Sequence, residues 1–122
     1  MEVLAPKDCN NAPKKRIIKE FTEALWSQQW SVLRAMVVET FTFEVAGKLQ
    51  SFDFAALQHE IPSNHSFYKM ELDAVITHGA FGACQGKIQS KVLCLDFAFF
   101  LSFTSAGKNT IKHLKVHLSS AY

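Results

Sequence analysis

The stretch Val92–Leu118, VLCLDFAFFLSFTSAGKNTIKHLKVHL, constrains the fold more than any other part of the chain. Leu95, Phe97, Phe99, Leu101 and Phe103 alternate with smaller or more polar residues. Ser105, Ala106, Gly107, Lys108 and Asn109 interrupt the run. Leu114, Val116 and Leu118 then alternate with His113, Lys115 and His117. Successive side chains of a strand point to opposite faces, so this pattern predicts a long β-hairpin with one apolar face. Lys91–Thr104 is expected to pair antiparallel with Thr110–Ser119. Almost no polar chemistry lies on that face, so the hairpin speaks to architecture rather than to activity.

The residues upstream change period. Asn11 and Pro13 read as a helix start, with Pro tolerated in the first turn. Ile17, Ile18, Phe21, Ala24 and Leu25 follow at helical spacing and predict a helix over 13–27. Trp30, Leu33, Met36 and Val37 predict a second, short helix. In TFTFEVAG, Phe41, Phe43 and Val45 alternate with Thr42 and Glu44, a half-buried strand ended by Gly47. Ser51 or Asp53 can cap a third helix, with Phe54, Leu57 and Ile61 inward and Pro62 as its stop. Phe67–His78 alternates again, with Met70, Leu72, Ala74 and Ile76 on one face. Ala83–Lys91 is a weaker strand in which Gly86 marks a bulge. Helices gathered early and strands gathered late predict an α+β domain over 13–122, its helices packed in a curved antiparallel sheet. Residues 1–12 read as a flexible tail.

A chain of 122 residues can bury a real core. Its net charge of +2 is spread out apart from Lys14, Lys15 and Arg16, with no basic stripe interleaved with aromatics. A nucleic-acid partner is not expected on that pattern. No apolar run approaches the roughly 20 residues that span a bilayer, so no membrane partner is expected. Cys9, Cys84 and Cys94 show no metal-type spacing. Their odd count, with no secretory apolar segment near Met1, predicts reduced thiols and a cytoplasmic protein.

The order of elements, together with IIKEFTEAL, the Trp30-x-x-Leu33 pair, FTFEVAG and FLSFTSAGKNTIKHLKVHL, resembles the nuclear transport factor 2-like superfamily from about Pro13 to Leu118. That superfamily includes ketosteroid isomerases, scytalone dehydratase, limonene epoxide hydrolase and polyketide-cyclase-like proteins. The resemblance implies a cone-shaped fold in which three N-terminal helices and a strongly curved sheet enclose a cavity, often in a dimer. It also implies where an isomerase would keep its tyrosine donor, aspartate base and aspartic acid donor. Here those positions fall on Phe21, Val45 and Phe99. Enolisation needs a base near the carbon acid and donors aimed at the oxygen, which Phe and Val cannot supply. A non-catalytic protein is the expectation, with a small cofactor-independent isomerase, dehydratase or cyclase as the alternative.

Within that frame, Phe21, Phe41, Phe43, Val45, Leu57, Phe97, Phe99, Leu101 and Val116 are the residues expected to line a pocket for a small apolar or aromatic ligand. The polar candidates for catalysis are His78, Glu44, Tyr68 and Asp96. His78 has inward parity at a strand end. Asp96 has outward parity, as does Glu44 unless the strand slips by one residue. His113 and His117, about 13 Å apart along a strand, are too distant to share one metal ion. His59 and His65 meet only by accident of loop geometry. No metal site and no cofactor motif is expected. Phe100 and Ala98 share the outer face with His113 and His117, which predicts a homodimer through that face.

Overall fold

The structure is a computed structural model describing residues 1–62 and 66–120. Among the described residues it is an α+β arrangement of three α-helices and one seven-stranded sheet. The first helix, α1, runs Pro13–Trp26, with Pro13 in its opening turn and Ala12, not Asn11, as its uncapped N-terminal residue. Its stripe Ile18, Phe21, Thr22, Leu25 and Trp26 is buried and packs onto the sheet. Its end is closed in the Schellman manner. Gln28, at φ 58°, donates to the Leu25 carbonyl, and Gln29 donates to that of Ala24. Helix α2 is Trp30–Met36 and α3 is Leu57–Glu60, the latter preceded by a 3-10 turn at Phe54–Ala56.

The strands are β1 (Glu2–Leu4), β2 (Val37–Val45), β3 (Ser51–Asp53), β4 (Lys69–His78), β5 (Phe81–Gln89), β6 (Cys94–Phe103) and β7 (Ile111–Ser120). They lie in the order β1-β4-β5-β6-β7-β2-β3. The sheet is mixed rather than antiparallel throughout, because β1–β4 and β2–β7 run parallel. β6 and β7 pair antiparallel as expected, with Phe97 opposite Leu118 and Phe99 opposite Val116, although β6 begins at Cys94 and not at Lys91.

Several expectations are corrected. Residues 1–12 are not a flexible tail: β1 pairs with Lys69–Glu71 at the sheet edge, and Cys9 is fully buried. Val37 opens β2 instead of closing α2. Ser51 and Asp53 form strand β3 rather than a side-chain cap. The parity of β4 fails after Leu72. Leu72 faces Gly86 and Ala74 faces Gln85, so Asp73 is an extra residue, and the strand changes sides around it. Met70, Leu72 and Val75 therefore point inward, while Ile76 is 65% exposed on the outside. Further register breaks lie at Ser102/Phe103 against β7 and between Val37 and Thr42 against β7. Bulges bend strands and increase twist, which is the physical source of the sheet's curvature.

Candidate functional site

The residues expected to line a ligand pocket are packed against one another. Phe21, Phe41, Phe43, Leu57, Phe97, Phe99, Leu101 and Val116 are all buried, and Val45 is half-buried at the end of β2. Phe97 and Phe99 lie 4.9 Å apart by ring centroids. The indole of Trp26 reaches both, at 5.4 and 6.1 Å, and also meets Phe67 edge-on at 5.3 Å. Trp26 is not among the residues that the sequence pattern singles out. Its signal was present, because Ile18, Thr22 and Trp26 recur every four residues on the ridge that faces the sheet.

The polar candidates do not converge. His78 is exposed, since the bulge at Asp73 shifts it onto the outer face. There it heads a cross-strand row running His78–Phe81–Ser102–His113–Thr42. Three strand spacings, about 14 Å, separate His78 from His113. Asp96 also faces outward, half-exposed, 3.8 Å from Lys87. Tyr68 precedes β4 and is 51% exposed, its backbone held by Glu2 and Gln89. His59 is exposed, and His65 lies outside the described residues. Among the described residues no three His, Cys, Asp or Glu side chains come together as a metal site would require.

Glu44 is the one polar candidate with a built environment. Thr42 Oγ1 lies 2.8 Å from His113 Nδ1, His113 Nε2 lies 3.1 Å from Glu44 Oε2, and Lys115 Nζ lies 3.6 Å from Glu44 Oε1. An ionised carboxylate only accepts, so Nε2 carries the proton toward Glu44; when the ring is neutral, Nδ1 then accepts from the Thr42 hydroxyl. The order hydroxyl–imidazole–carboxylate is one that nucleophilic catalysis uses. Here it lies along an open sheet face, beside a shallow hollow of about 360 Å³ that Phe81 and Phe100 also line. Thr42 sits between β7 and β3 in the ladders, so its surroundings offer no paired backbone donors for an oxyanion.

The rest of the outer face is apolar at its centre. The row Ile76–Ala83–Phe100–Lys115–Glu44 crosses five strands, and the next row is Ala74–Gln85–Ala98–His117. Ile76, Phe81 and Phe100 are 65%, 63% and 50% exposed. An apolar hollow of about 220 Å³ lies between Ile76 and Phe100, floored by Ala74, Ala83 and Ala98. The His117 ring stands edge-on to Phe100 at 5.5 Å. Ala98, Phe100, His113 and His117 thus share the face on which the hairpin's parity puts them.

No model of a known protein family matches the sequence, and no curated protein does. The fold does match solved structures. A provisionally assigned SnoaL-like polyketide cyclase of Shewanella putrefaciens CN-32 is 8% identical, with a TM-score of 0.75 over 97% of this chain and 90% of that one. A provisionally assigned ketosteroid isomerase of Kribbella flavida DSM 17836 is 13% identical, with a TM-score of 0.72 over 89% and 79%. An NTF2-like protein of unknown function from Cytophaga hutchinsonii ATCC 33406 is 15% identical, with a TM-score of 0.64 over 87% and 89%. The chain therefore has the nuclear transport factor 2-like fold. Identities this low carry the fold and no activity, since one fold hosts many functions. Among the described residues no helix is long and apolar enough to cross a membrane.

Proposed function

We propose that this chain is a non-catalytic nuclear transport factor 2-like domain that works as a homodimer joined through the outer face of its sheet. One observation carries the reading: Ile76 and Phe100 are exposed around an alanine-floored hollow, and Phe81, also exposed, shares the neighbouring hollow with Phe100. Large apolar side chains clustered on a sheet face are better placed against another surface than against water. A second copy suits this face because Glu44 and Asp96 each already have a lysine within the subunit. Glu44 is paired with Lys115 and His113, and Asp96 lies against Lys87. Two copies related by a twofold axis then meet apolar centre to apolar centre with little like-charge repulsion at the rim.

The non-catalytic part rests on the scatter of His78, Tyr68 and Asp96 and on the aromatic packing inside the sheet. The apolar interior, with Trp26 among Phe67, Phe97 and Phe99, reads as core in preference to a chamber for a small apolar ligand. The alternative of a cofactor-independent enzyme would have to run through Thr42, His113 and Glu44. Sedimentation velocity at micromolar concentration tests the proposal. A dimer that Phe100→Asp converts to monomer supports it. A monomeric wild type, or a dimer indifferent to Phe100→Asp, overturns it.

A further inference from the structure

A separate hollow of about 340 Å³ lies at the C-terminal end of α1, lined by Met1, Trp26, Ser27, Gln28, Ser66 and Phe67. Trp26 is 2% exposed, and its Nε1 is buried with no hydrogen-bond partner. Among the described residues it is the only buried side-chain polar atom of that kind. A donor sealed away from water and left unpaired is costly, and such groups call for an explanation. Gln28 and Ser66, at φ 58° and 51°, are the described non-glycine residues with left-handed backbone, and both line this hollow. A helix end of this type is ordinarily served by glycine. Gln28 takes that place here, and Ser27 and Ser66 line the hollow with it. Disfavoured backbone held in place is characteristic of ligand clamps.

We propose that this hollow binds a small molecule presenting a carbonyl or carboxylate oxygen, which accepts the hydrogen bond of Trp26 Nε1–H. An indole nitrogen only donates, so its partner must be an acceptor. Among the described residues lining the hollow there is no lysine, arginine, aspartate or glutamate side chain, so side-chain recognition there runs through hydrogen bonds from indole and hydroxyl. Phe67, set at 79° to the indole, supplies an apolar wall for the ligand's body. The volume suits a single-ring compound. Nε1 is covered by its neighbours, so the oxygen reaches it as the side chains at the lip turn aside. The site is independent of the outer face and of any dimer.

The test uses Trp30→Phe, which leaves Trp26 as the only one of two tryptophans. Its indole N–H is followed in proton–nitrogen correlation spectra during titration with benzamide, benzoate and toluene. Benzamide and benzoate carry the two kinds of oxygen, and toluene carries the ring without one. The expected result is a saturable downfield shift with benzamide, benzoate or both, with a Kd on the order of 1 mM for ligands of this size. Which of the two acts identifies the oxygen. Trp26→Phe, made in the wild-type chain, keeps a ring and loses the donor, so ligand-observed binding should weaken about tenfold. A resonance unmoved by either oxygen probe, or moved equally by toluene, overturns the proposal, as does undiminished binding to a folded Trp26→Phe protein. Should Trp26→Phe fail to fold, the Trp30→Phe titration decides alone.

Discussion

Phe99 and Phe100 are neighbours in the chain and belong to different environments. Phe99 is fully buried, 4.9 Å from Phe97 and 6.1 Å from Trp26. Truncating it removes apolar contact and leaves a cavity among rings that cannot readily collapse. Phe99→Ala should therefore cost about 3–5 kcal/mol, read by urea unfolding; a cost near zero would mean the ring is not close-packed. Cys84 makes a second prediction at this scale. Burial pushes its thiol up to about 12 from 9.0, only partly opposed by the Thr22 hydroxyl 3.6 Å away. Above pH 9 the unfolded chain gives up this proton and the folded chain keeps it, so stability falls as pH rises from about 9 toward 12. Cys84→Ala should show a shallower decline than wild type over that window in pH-dependent denaturation, and equal slopes would contradict the assignment. Trp26 shows why a residue can be missed in the sequence. Its ridge position was legible, but the ring's reach across to Phe67 and Phe97 depends on strands that follow it in the chain by forty residues and more.

At the scale of elements, legibility tracked the regularity of the backbone. The β6–β7 hairpin reads correctly because Leu95–Ser102 pairs without interruption, so parity in the sequence is parity in space. In β4 the same reasoning breaks at one residue, Asp73, and carries Ile76 and His78 from the expected inner face to the outer one. Gly86 was the visible sign of that irregularity, though it stands on the partner strand. The border between α2 and β2 was missed because Val37 satisfies both the helical spacing before it and the β-branched preference after it. Strand β1, three residues long, is too short to show an alternation. The role of Gly86 can be tested. A Cβ there would lie 2.1 Å from the Glu71 carbonyl oxygen, which is backbone and cannot move aside alone. At Gly82 the close neighbour is Ile18 Cδ1 at 2.5 Å, the flexible end of a side chain. Gly86→Ala should cost about 3 kcal/mol and Gly82→Ala clearly less, by chemical denaturation. The reverse ranking would place the strain elsewhere in the sheet.

For the whole molecule, the sheet separates two jobs. Its inner face is closed over α1 and filled by rings, while its outer face leaves Ile76, Phe81 and Phe100 uncovered among alanines. Lys14 fastens the start of α1 to the far end of the hairpin, donating to the Lys108 carbonyl at 2.5 Å with its ammonium over the Phe103 ring at 4.7 Å. The inner side is thereby tied together within one subunit, and the outer side remains for association. This division gives a paired prediction. Phe100→Asp adds a charge at the centre of the apolar face and removes no core contact. It should leave urea stability, compared at concentrations where both proteins are monomeric, within about 0.5 kcal/mol of wild type. The same change should abolish the dimer in sedimentation at micromolar concentration, because each twofold contact would bury the new charge against its own copy. Phe99→Ala should behave in the opposite sense, losing stability while any protein that remains folded still associates. If Phe100→Asp instead lowers stability as much as Phe99→Ala, or if neither change alters association, the outer face is not the surface through which two copies meet.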